Sequence, residues 1–457
     1  MARRSAHPRR SLLTAHPART VVLAFAAAIA LGTGLLALPL AAEDGTATGL
    51  VTALFTSTSA VCVTGLAVVD TGTYWSGFGE GVILALIQIG GFGIMTMASL
   101  LALLVSGKLR LRLQLTAQAE TKSLDIGDVR RVLLGVAGTT LIVELAVGAV
   151  LSLRFRFGYG DSIGEAVYLG YFHAVSAFNN AGFGLHADSL TRYAQDPWVT
   201  LPIAVAVILG GLGFPVLLEL LRHRNRHRTT GRRNWTLHTR LTLVTTVVLL
   251  ALGTLLTCLL EWTNPATLGS HDWPAKLLNG FFHSAMTRTA GFNSLDIGAM
   301  HASTLLMTCM LMFVGGGSAG TAGGIKVTTF AVLAVAIIAE VRGEPNSTVL
   351  GRRLAPHSLR QALTVVLLGV GLVMAATLAL LSMTSLPLDG VLFEVVSAFA
   401  TVGLSTGITA DFPDAGQLIL VLLMFIGRLG PVTLVSALAL RERVRRYELP
   451  EERPVIG

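Results

Sequence analysis

The sequence predicts an all-α integral membrane protein built from four tandem membrane–pore-helix–membrane repeats, with eight spans plus four re-entrant pore helices around a pseudo-fourfold pore. Three observations support this prediction: an apolar composition, basic residues confined to a few segments, and a glycine motif that recurs four times. Of the 457 residues, 53% are hydrophobic and 13% charged, whereas soluble domains are about 25% charged. Apolar runs near the roughly 20 residues that span a bilayer recur along the chain, and the mean hydropathy is +0.68.

The basic residues indicate the orientation of the chain in the membrane. Most of the 34 lysines and arginines lie before residue 21 or within residues 108–131, 222–240, 342–360 and 441–453. Short loops rich in lysine and arginine face the cytoplasm. We therefore expect both termini in the cytoplasm, an even number of spans, and a multi-pass location in the cytoplasmic (inner) membrane, where the basic loops meet anionic lipid.

The predicted organisation alternates repeats with cytoplasmic segments. The repeats occupy residues 21–105, 132–221, 241–340 and 361–440. The segments around and between them are the N-terminal tail 1–20, the basic loops 106–131 and 222–240, the loop 341–360 and the C-terminal tail 441–457. A glycine-rich stretch at 313–326 interrupts the third repeat.

Four short segments with the same pattern mark the repeats. They read TSAVCVTGL, VSAFNNAGF, HSAMTRTAGF and VSAFATVGL, and the third has one extra residue. Each contains Ser-Ala and closes on Gly-Leu or Gly-Phe. The closing glycines are Gly65, Gly182, Gly291 and Gly403, at nearly equal intervals along the chain. Such regular self-similarity indicates an internal repeat.

The surroundings of these segments also repeat. Each follows a span and a short amphipathic stretch of about 12 residues, too short to cross a bilayer. A second span follows, and a re-entrant backbone between two spans is tolerated only where it faces protein or a water-filled cavity. Four such units predict eight spans, in agreement with the even number. The short stretches are Leu50–Ala60, Glu165–Phe178, Lys276–Met286 and Gly390–Phe399.

The glycine segments predict a selectivity filter. A ring of backbone carbonyls replaces the hydration shell of a cation, and glycine permits the backbone angles that turn carbonyls inward. Thr-Val-Gly in the fourth segment matches the start of the potassium-channel filter TVGYG, and the other three are looser variants. The expected filter residues are Val63, Thr64, Gly65, Asn180, Ala181, Gly182, Thr289, Ala290, Gly291, Thr401, Val402 and Gly403.

At these residues the chain resembles the potassium-transporter superfamily of Trk, Ktr and HKT proteins. The segments TRTAGFNS and SAFATVGLSTGIT look most like the third and fourth repeats of the bacterial Ktr-type membrane subunit (KtrB-like). The resemblance covers nearly the whole chain and implies K⁺ uptake without enzymatic activity, one filter glycine per repeat, and a homodimer seated on a cytosolic ring of nucleotide-binding RCK subunits (KtrA-like). Na⁺ coupling and the preference for K⁺ over Na⁺ stay open.

The resemblance also implies a gate below the filter. The family's matching segment to Phe313–Lys326, FVGGGSAGTAGGIK, is an intramembrane gating loop, and a flexible kink or close helix packing through small residues is the alternative. The family's GRLGP arginine, here Arg428, points into the pore; a structural salt bridge is its alternative. Lys326 is expected at the cytoplasmic end of the loop. The remaining expected gate residues are Gly315, Gly316, Gly317, Gly320, Gly323 and Gly324.

Two further buried charges are expected to be structural. Glu394 lies on the fourth short stretch and Arg288 in the third glycine segment. A buried ion pair between them would brace the filter, whereas an arginine in direct contact with the ion would repel it.

The main alternative is an alternating-access secondary cation transporter, but such folds usually contain two larger, often inverted, halves. The pairs His173–Ser176 and His283–Ser284 suggest an intramembrane hydrolase only weakly, because no Gly-x-Ser-x-Gly turn is present. The basic loops contain little aromatic interleaving apart from Trp235, so nucleic-acid binding is not expected.

Overall fold

The structure is a computed structural model that describes residues 17–114, 126–226, 235–344 and 346–430. The C-terminal tail predicted at 441–457, most of the N-terminal tail and parts of both basic loops lie outside these residues. The described residues are almost entirely helical, and the only strands among them form a short antiparallel hairpin, β1 (Thr348–Val349) and β2 (Arg352–Arg353).

Each repeat contributes a first helix, a short helix and a second helix. The first repeat contains α1 (Pro17–Leu36), α2 (Leu50–Val61), the turn α3 (Thr71–Tyr74) and α4 (Gly77–Gln114); the second contains α5 (Ile126–Arg154), α6 (Ile163–Phe178), α7 (Pro197–Leu212) and α8 (Phe214–Arg226). The third contains α9 (Leu237–Glu261), α10 (Trp273–Met286), α11 (Ala302–Phe313) and α12 (Val327–Val341), and the fourth α13 (Pro356–Met383), α14 (Leu388–Ala400) and α15 (Asp414–Leu429).

The short helices α2, α6, α10 and α14 begin and end within three residues of the predicted stretches. Local capping explains some of the starts. The Ser162 hydroxyl accepts a hydrogen bond from the Glu165 backbone N–H at the start of α6, and the Asp196 carboxylate accepts one from the Trp198 N–H at the start of α7. Such caps satisfy backbone donors that a helix leaves free at its first turn.

Four helices of the described ranges are long and apolar enough to cross a membrane: Gly77–Thr96, Leu133–Tyr159, Leu237–Glu261 and Pro356–Met383. The pair Pro197–Leu212 and Phe214–Leu221 makes a fifth if its 101° bend is one broken span. Large apolar side chains on these helices face outward, as Val247 (63% exposed) and Leu255 (62% exposed) do on α9. An exposed apolar belt of this kind suits lipid rather than water.

Glycine brings the second helices of three repeats against the short helices. In each case a Cβ on the glycine would overlap the carbonyl oxygen near the end of the preceding short helix, so only glycine permits the observed approach. The pairs are Gly90 with Val61, Gly210 with Phe178, and Gly427 with Phe399.

Candidate functional site

The four predicted filter segments adopt the same unusual backbone. We call residues 63–65, 180–182, 289–291 and 401–403 the first to fourth glycine loops. In every loop the first and last residues have positive φ, between +50° and +96°. Glycine tolerates this region, whereas β-branched residues such as Val63 and Thr289 rarely adopt it. Strain repeated at one position of four loops is typical of a functional site.

The glycines of the four loops form a closed ring. A Cβ on Gly65 would meet the second loop, and one on Gly182 would lie 2.5 Å from Ala290 O in the third. A Cβ on Gly291 would lie 2.7 Å from Val402 O in the fourth loop, and one on Gly403 would lie 3.0 Å from the Gly65 Cα. Each loop therefore contacts the next, and the fourth contacts the first.

The serine of the repeated Ser-Ala pair forms hydrogen bonds with the backbone of the glycine loops. The Ser59 and Ser397 hydroxyls each accept a hydrogen bond of 3.1 Å from the N–H of their loop glycine. In the first, second and fourth repeats the serine carbonyl also accepts a bond of 2.7–2.8 Å from the middle residue of the loop. In the third repeat Met286 O takes this role at 3.1 Å, because that segment has one extra residue.

The interruption predicted in the third repeat is a non-helical segment, residues 314–326, which we call the inner loop. Its two ends pair, since Val314 and Ile325 form a bridge and the Gly315 N–H donates to Ile325 O at 2.8 Å. The Gly317 N–H donates to Gly211 O at 2.7 Å, which holds the loop against the break in the second repeat. That break occurs at Gly213, whose φ is +92°.

The inner loop lies directly against three glycine loops. The Thr321 hydroxyl donates to Asn180 Oδ1 at 2.8 Å in the second loop. A Cβ on Gly315 would lie 3.4 Å from a Thr289 methyl group, and one on Gly323 would overlap the Thr401 hydroxyl. The inner loop therefore covers the end of the ring where the short helices stop.

Arg428 joins the inner loop to the first repeat. It is 4% exposed and donates to Thr321 O in the inner loop and, at 3.2 Å, to Gly90 O on α4. The other three repeats have glycine at the position that Arg428 occupies, namely Gly91, Gly211 and Gly316. Arg428 is therefore the one large side chain among these four equivalent positions. No carboxylate of the described residues forms a salt bridge with it.

Lys326 ends the inner loop and immediately precedes α12. Its Nζ donates to Ala322 O at 2.6 Å. Gly316 and Gly320 both pack against carbonyls of the second repeat, and Gly324 packs against Ala400. All seven predicted gate residues of this segment thus belong to one loop.

The predicted ion pair between Arg288 and Glu394 is wrong. The Glu394 carboxylate accepts hydrogen bonds from Ser405, the Thr406 N–H and Thr409, all in the outer loop of its own repeat. Arg288 is 5% exposed, and its three guanidinium nitrogens have no hydrogen-bond partner within the described part of the chain. Hydrogen bonds from its own repeat stabilise the Glu394 carboxylate, so an ion pair with Arg288 is not required.

The Ser/His pairs are not arranged for catalysis. His173 Nδ1 lies 2.8 Å from Leu169 O, and His283 Nε2 lies 3.0 Å from the Thr308 hydroxyl. The neighbouring Ser284 donates to Leu250 O instead of facing its histidine. A nucleophile and its base must lie within hydrogen-bond reach, and among the described residues neither serine forms a hydrogen bond with its histidine.

One polar cluster was missed in the sequence. Glu144 on α5, Gln88 on α4 and Asn179 after α6 form a hydrogen-bonded group beside the second glycine loop. A single carboxylate inside the apolar run TTLIVELAVG was the available signal, because ionisable residues in spans are rare and functional.

Comparison with known proteins agrees with this geometry. The TrkH family, described as cation transport proteins, matches residues 4–443. The chain is 40% identical over 427 residues to the Ktr system potassium uptake protein B of Bacillus subtilis, covering 93% of this chain and 94% of that protein. It is 37% identical to the Ktr system potassium uptake protein B of Vibrio alginolyticus, covering 96% and 94%, and 33% identical to the potassium/sodium uptake protein NtpJ of Enterococcus hirae, covering 96% and 97%.

The fold matches the crystal structure of the potassium transporter TrkH from Vibrio parahaemolyticus with a TM-score of 0.74 at 17% identity, over 95% of this chain and 87% of that chain. Several apolar helices around one ring of glycine loops define a multi-pass membrane transport protein rather than an enzyme. The chain belongs to the TrkH family of cation transport proteins. The resemblance to the Trk, Ktr and HKT superfamily is thereby confirmed.

Proposed function

We propose that the protein takes up K⁺ through a single pore whose selectivity filter is made of backbone carbonyls from the four glycine loops. The ring of close contacts among Gly65, Gly182, Gly291 and Gly403 carries this proposal. Backbone carbonyls in such a ring replace the hydration shell of a cation. The names of the relatives, two of which are Ktr system potassium uptake proteins, support K⁺ as the ion.

In this proposal the chain crosses the membrane eight times. The spans are α1, α4, α5, α7 with α8, α9, α11 with α12, α13 and α15, and the re-entrant pore helices are α2, α6, α10 and α14. The repeat and loop boundaries are those expected from the sequence, and both termini face the cytoplasm by the positive-inside rule. The location is the cytoplasmic membrane.

The inner loop and Arg428 form the proposed gate. The loop lies across the inner end of the filter, and Arg428 holds it through Thr321 O while adding a positive charge under the filter. Flux requires the loop to move, since Thr321 and Gly323 lie against the second and fourth glycine loops. A buried charged hydrogen bond contributes about 1.5–3 kcal/mol, enough to keep a short loop closed until a partner opposes it.

The proposed partner is a cytosolic nucleotide-binding RCK subunit, and the proposed assembly is a homodimer. Both follow from membership of the family and from the Ktr system names of the relatives. Na⁺ dependence is proposed from the name of the potassium/sodium uptake protein of Enterococcus hirae.

The test is growth rescue and ⁸⁶Rb⁺ uptake in a bacterium that lacks its own potassium uptake systems, with and without a co-expressed RCK subunit. We expect rescue by the wild type at low K⁺ and loss of K⁺ preference in Gly403→Ser. The matched control is Gly371→Ser, because a Cβ at Gly371 on α13 meets nothing within 4 Å. Absence of Rb⁺ uptake beside the RCK subunit, or equal behaviour of the two variants, would contradict the proposal.

An alternating-access secondary transporter is the second candidate. It predicts turnover limited by a rocking motion, and therefore a rate that saturates at low K⁺ and is insensitive to single filter glycines. The closed ring of four equivalent loops favours the pore.

A further inference from the structure

The missed cluster centres on a carboxylate in the middle of a span. Glu144 lies near the centre of the apolar helix Leu133–Tyr159 and is 6% exposed. Its two carboxylate oxygens accept one hydrogen bond each, from Asn179 Nδ2 at 3.0 Å and from Gln88 Nε2 at 3.3 Å. Both donors are neutral amides, and within the described ranges no basic side chain forms an ion pair with Glu144.

Two other buried carboxylates of the described chain, Glu261 and Glu394, have more hydrogen-bond donors than Glu144. Glu261 accepts bonds from Asn264, Thr267, Thr304 and a backbone N–H. Glu394 likewise accepts a hydroxyl hydrogen bond on each oxygen and a backbone N–H on Oε1. A carboxylate with only two neutral amide donors, one of them at 3.3 Å, keeps most of the desolvation penalty of its charge, so Glu144 requires neutralisation by a proton or a bound cation.

The space beside Glu144 suits a proton better than a metal cation. A pocket of about 360 Å³ opens between α4 and α5, and most of its wall consists of Ile89, Phe92, Ala137 and Leu141. Thr140, one helical turn from Glu144, also lines it, and the Thr140 hydroxyl is buried without a hydrogen-bond partner. A dehydrated cation needs more oxygen ligands than this largely apolar wall offers, whereas a proton needs no further ligand.

The Asn179 side chain supplies Glu144 with only one hydrogen bond. Its Nδ2 lies within reach of three acceptors: Gln88 Oε1 at 2.7 Å, Glu144 Oε1 at 3.0 Å and Val175 O at 3.0 Å. An amide nitrogen carries two hydrogens. Val175 O also accepts the Asn179 backbone N–H at 3.1 Å, so the two amide hydrogens serve Gln88 and Glu144, and Asn179 gives the carboxylate a single neutral donor.

Asn179 connects this cluster to the conduction path. It follows α6 directly and precedes Asn180, the first residue of the second glycine loop. The Asn180 amide in turn donates to Arg288 O at 3.2 Å and accepts from Thr321 of the inner loop. A shift of Asn179 would therefore be felt by the second loop, the third repeat and the inner loop.

We propose that Glu144 is a proton-binding site, and that the neutral carboxyl positions Asn179 and the second glycine loop for conduction. Deprotonation leaves a charge in the span that draws amide hydrogens or water toward α5 and distorts the loop. The proposal rests on the proposed function for its effect on transport, although the proton itself is detectable without transport.

Other titratable groups on the elements packed against α5 face different partners in the described chain. On α4 and α6, Glu80 and Tyr168 bond each other. His173 packs on Phe155 and Phe172. The salt bridge of Arg154 with Asp196, before α7, lies at the far end of α5. Glu144 is therefore the titratable group that contacts Gln88 and Asn179.

The test uses the full-length protein in liposomes with the same pH on both sides. We expect Rb⁺ uptake by the wild type to fall with rising pH, approaching about tenfold per pH unit once Glu144 is mostly ionised. Glu144→Gln, which mimics the neutral carboxyl, should keep the acid-side rate at every pH. The control Glu165→Gln removes an exposed carboxylate from α6 and should titrate like the wild type.

A second measurement reads the proton directly. The difference between infrared spectra at low and high pH should contain the C=O absorption of protonated carboxyls, and this absorption should be smaller in Glu144→Gln than in the wild type and in Glu165→Gln. An absorption of equal size in Glu144→Gln and the wild type, or a pH profile of uptake that the two share, would overturn the proposal. Absent Rb⁺ uptake with the expected infrared result would instead count against the pore and leave the proton site standing.

Discussion

Replacement of Gly182 by alanine tests whether the ring of glycine loops must keep its spacing. Gly182 has a φ of +72°, and an added Cβ would lie 2.5 Å from Ala290 O and 2.8 Å from the Gly291 Cα. A Cβ needs about 3.4 Å from such atoms, so the second and third loops must separate by almost an ångström. Misplacement of about 1 Å at a site can reduce its rate about 100-fold, and we expect a loss of that order in Rb⁺ uptake.

The control for this prediction is Gly160→Ala. Gly160 belongs to the same repeat and has a φ of +83°, but a Cβ there meets nothing within 4 Å. Both variants carry the left-handed backbone cost of about 1–2 kcal/mol, and only Gly182→Ala disturbs the ring. The assay compares initial ⁸⁶Rb⁺ uptake at equal protein in liposomes. Equal uptake by the two variants would refute the argument that the ring spacing controls conduction.

Three further predictions follow from individual contacts. Arg428→Ala removes two charged hydrogen bonds of about 1.5–3 kcal/mol each, so Rb⁺ uptake in liposomes should rise several-fold. An unchanged rate would count against the proposal that Arg428 holds the inner loop closed. Ser397→Ala leaves the buried Gly403 N–H without its acceptor, at about 1–3 kcal/mol, and should lower the K⁺/Na⁺ uptake ratio. Arg192 keeps the pKa of the Asp188 carboxyl below its ordinary value. The ion pair therefore stabilises the folded protein at pH values above the ordinary pKa of aspartate, and this contribution is lost as the pH falls through the lowered pKa. Because the pair is exposed, thermal unfolding of Asp188→Asn should show a change of at most about 0.5 kcal/mol.

The first two of these predictions have simple controls. Ser284→Ala changes the matching serine of the third repeat, whose hydroxyl donates to Leu250 O on α9 and not to a loop glycine, so ion preference should stay unchanged. Arg428→Lys keeps the charge and loses the forked geometry. It should give an intermediate rate, and a rate equal to that of the alanine variant would mean that geometry, not charge, closes the loop.

The four glycine loops could be predicted from the sequence because their pattern lies in contiguous residues and occurs four times. Glycine at one position in four segments, with Thr401-Val402-Gly403 as the clearest copy, indicated a positive φ before any contact was known. The structure has that conformation in all four loops. The same reasoning located the inner loop to within a residue, since FVGGGSAGTAGGIK is too rich in glycine to continue a helix.

Pairings between distant side chains were much harder to predict. Arg288 and Glu394 suggested an ion pair by charge alone, but the outer loop supplies hydroxyls that satisfy the carboxylate. Glu144 was overlooked because its partners, Gln88 and Asn179, are separated from it by 56 and 35 residues. Charge and hydropathy patterns carry no information on which polar groups meet across helices.

The length of the spans was another limit. Eight spans were expected, yet four helices of the described residues, or five with the bent pair, satisfy the length and hydropathy of a simple span. Gly213 and the inner loop divide two of the second helices into shorter pieces. A broken helix keeps the apolar composition of a span, but each of its pieces is shorter than a simple span. The hydropathy of the sequence therefore identifies the segment, whereas the length of the individual helices does not.

The most direct test of the central claim is a crystal structure of the protein grown in Rb⁺, with anomalous differences measured at the rubidium edge. The account predicts Rb⁺ peaks on the axis between the carbonyls of the four glycine loops, within reach of Gly65, Gly182, Gly291 and Gly403, and their loss when Na⁺ replaces Rb⁺. Rubidium bound elsewhere among the helices, with an empty axis between the loops, would contradict it.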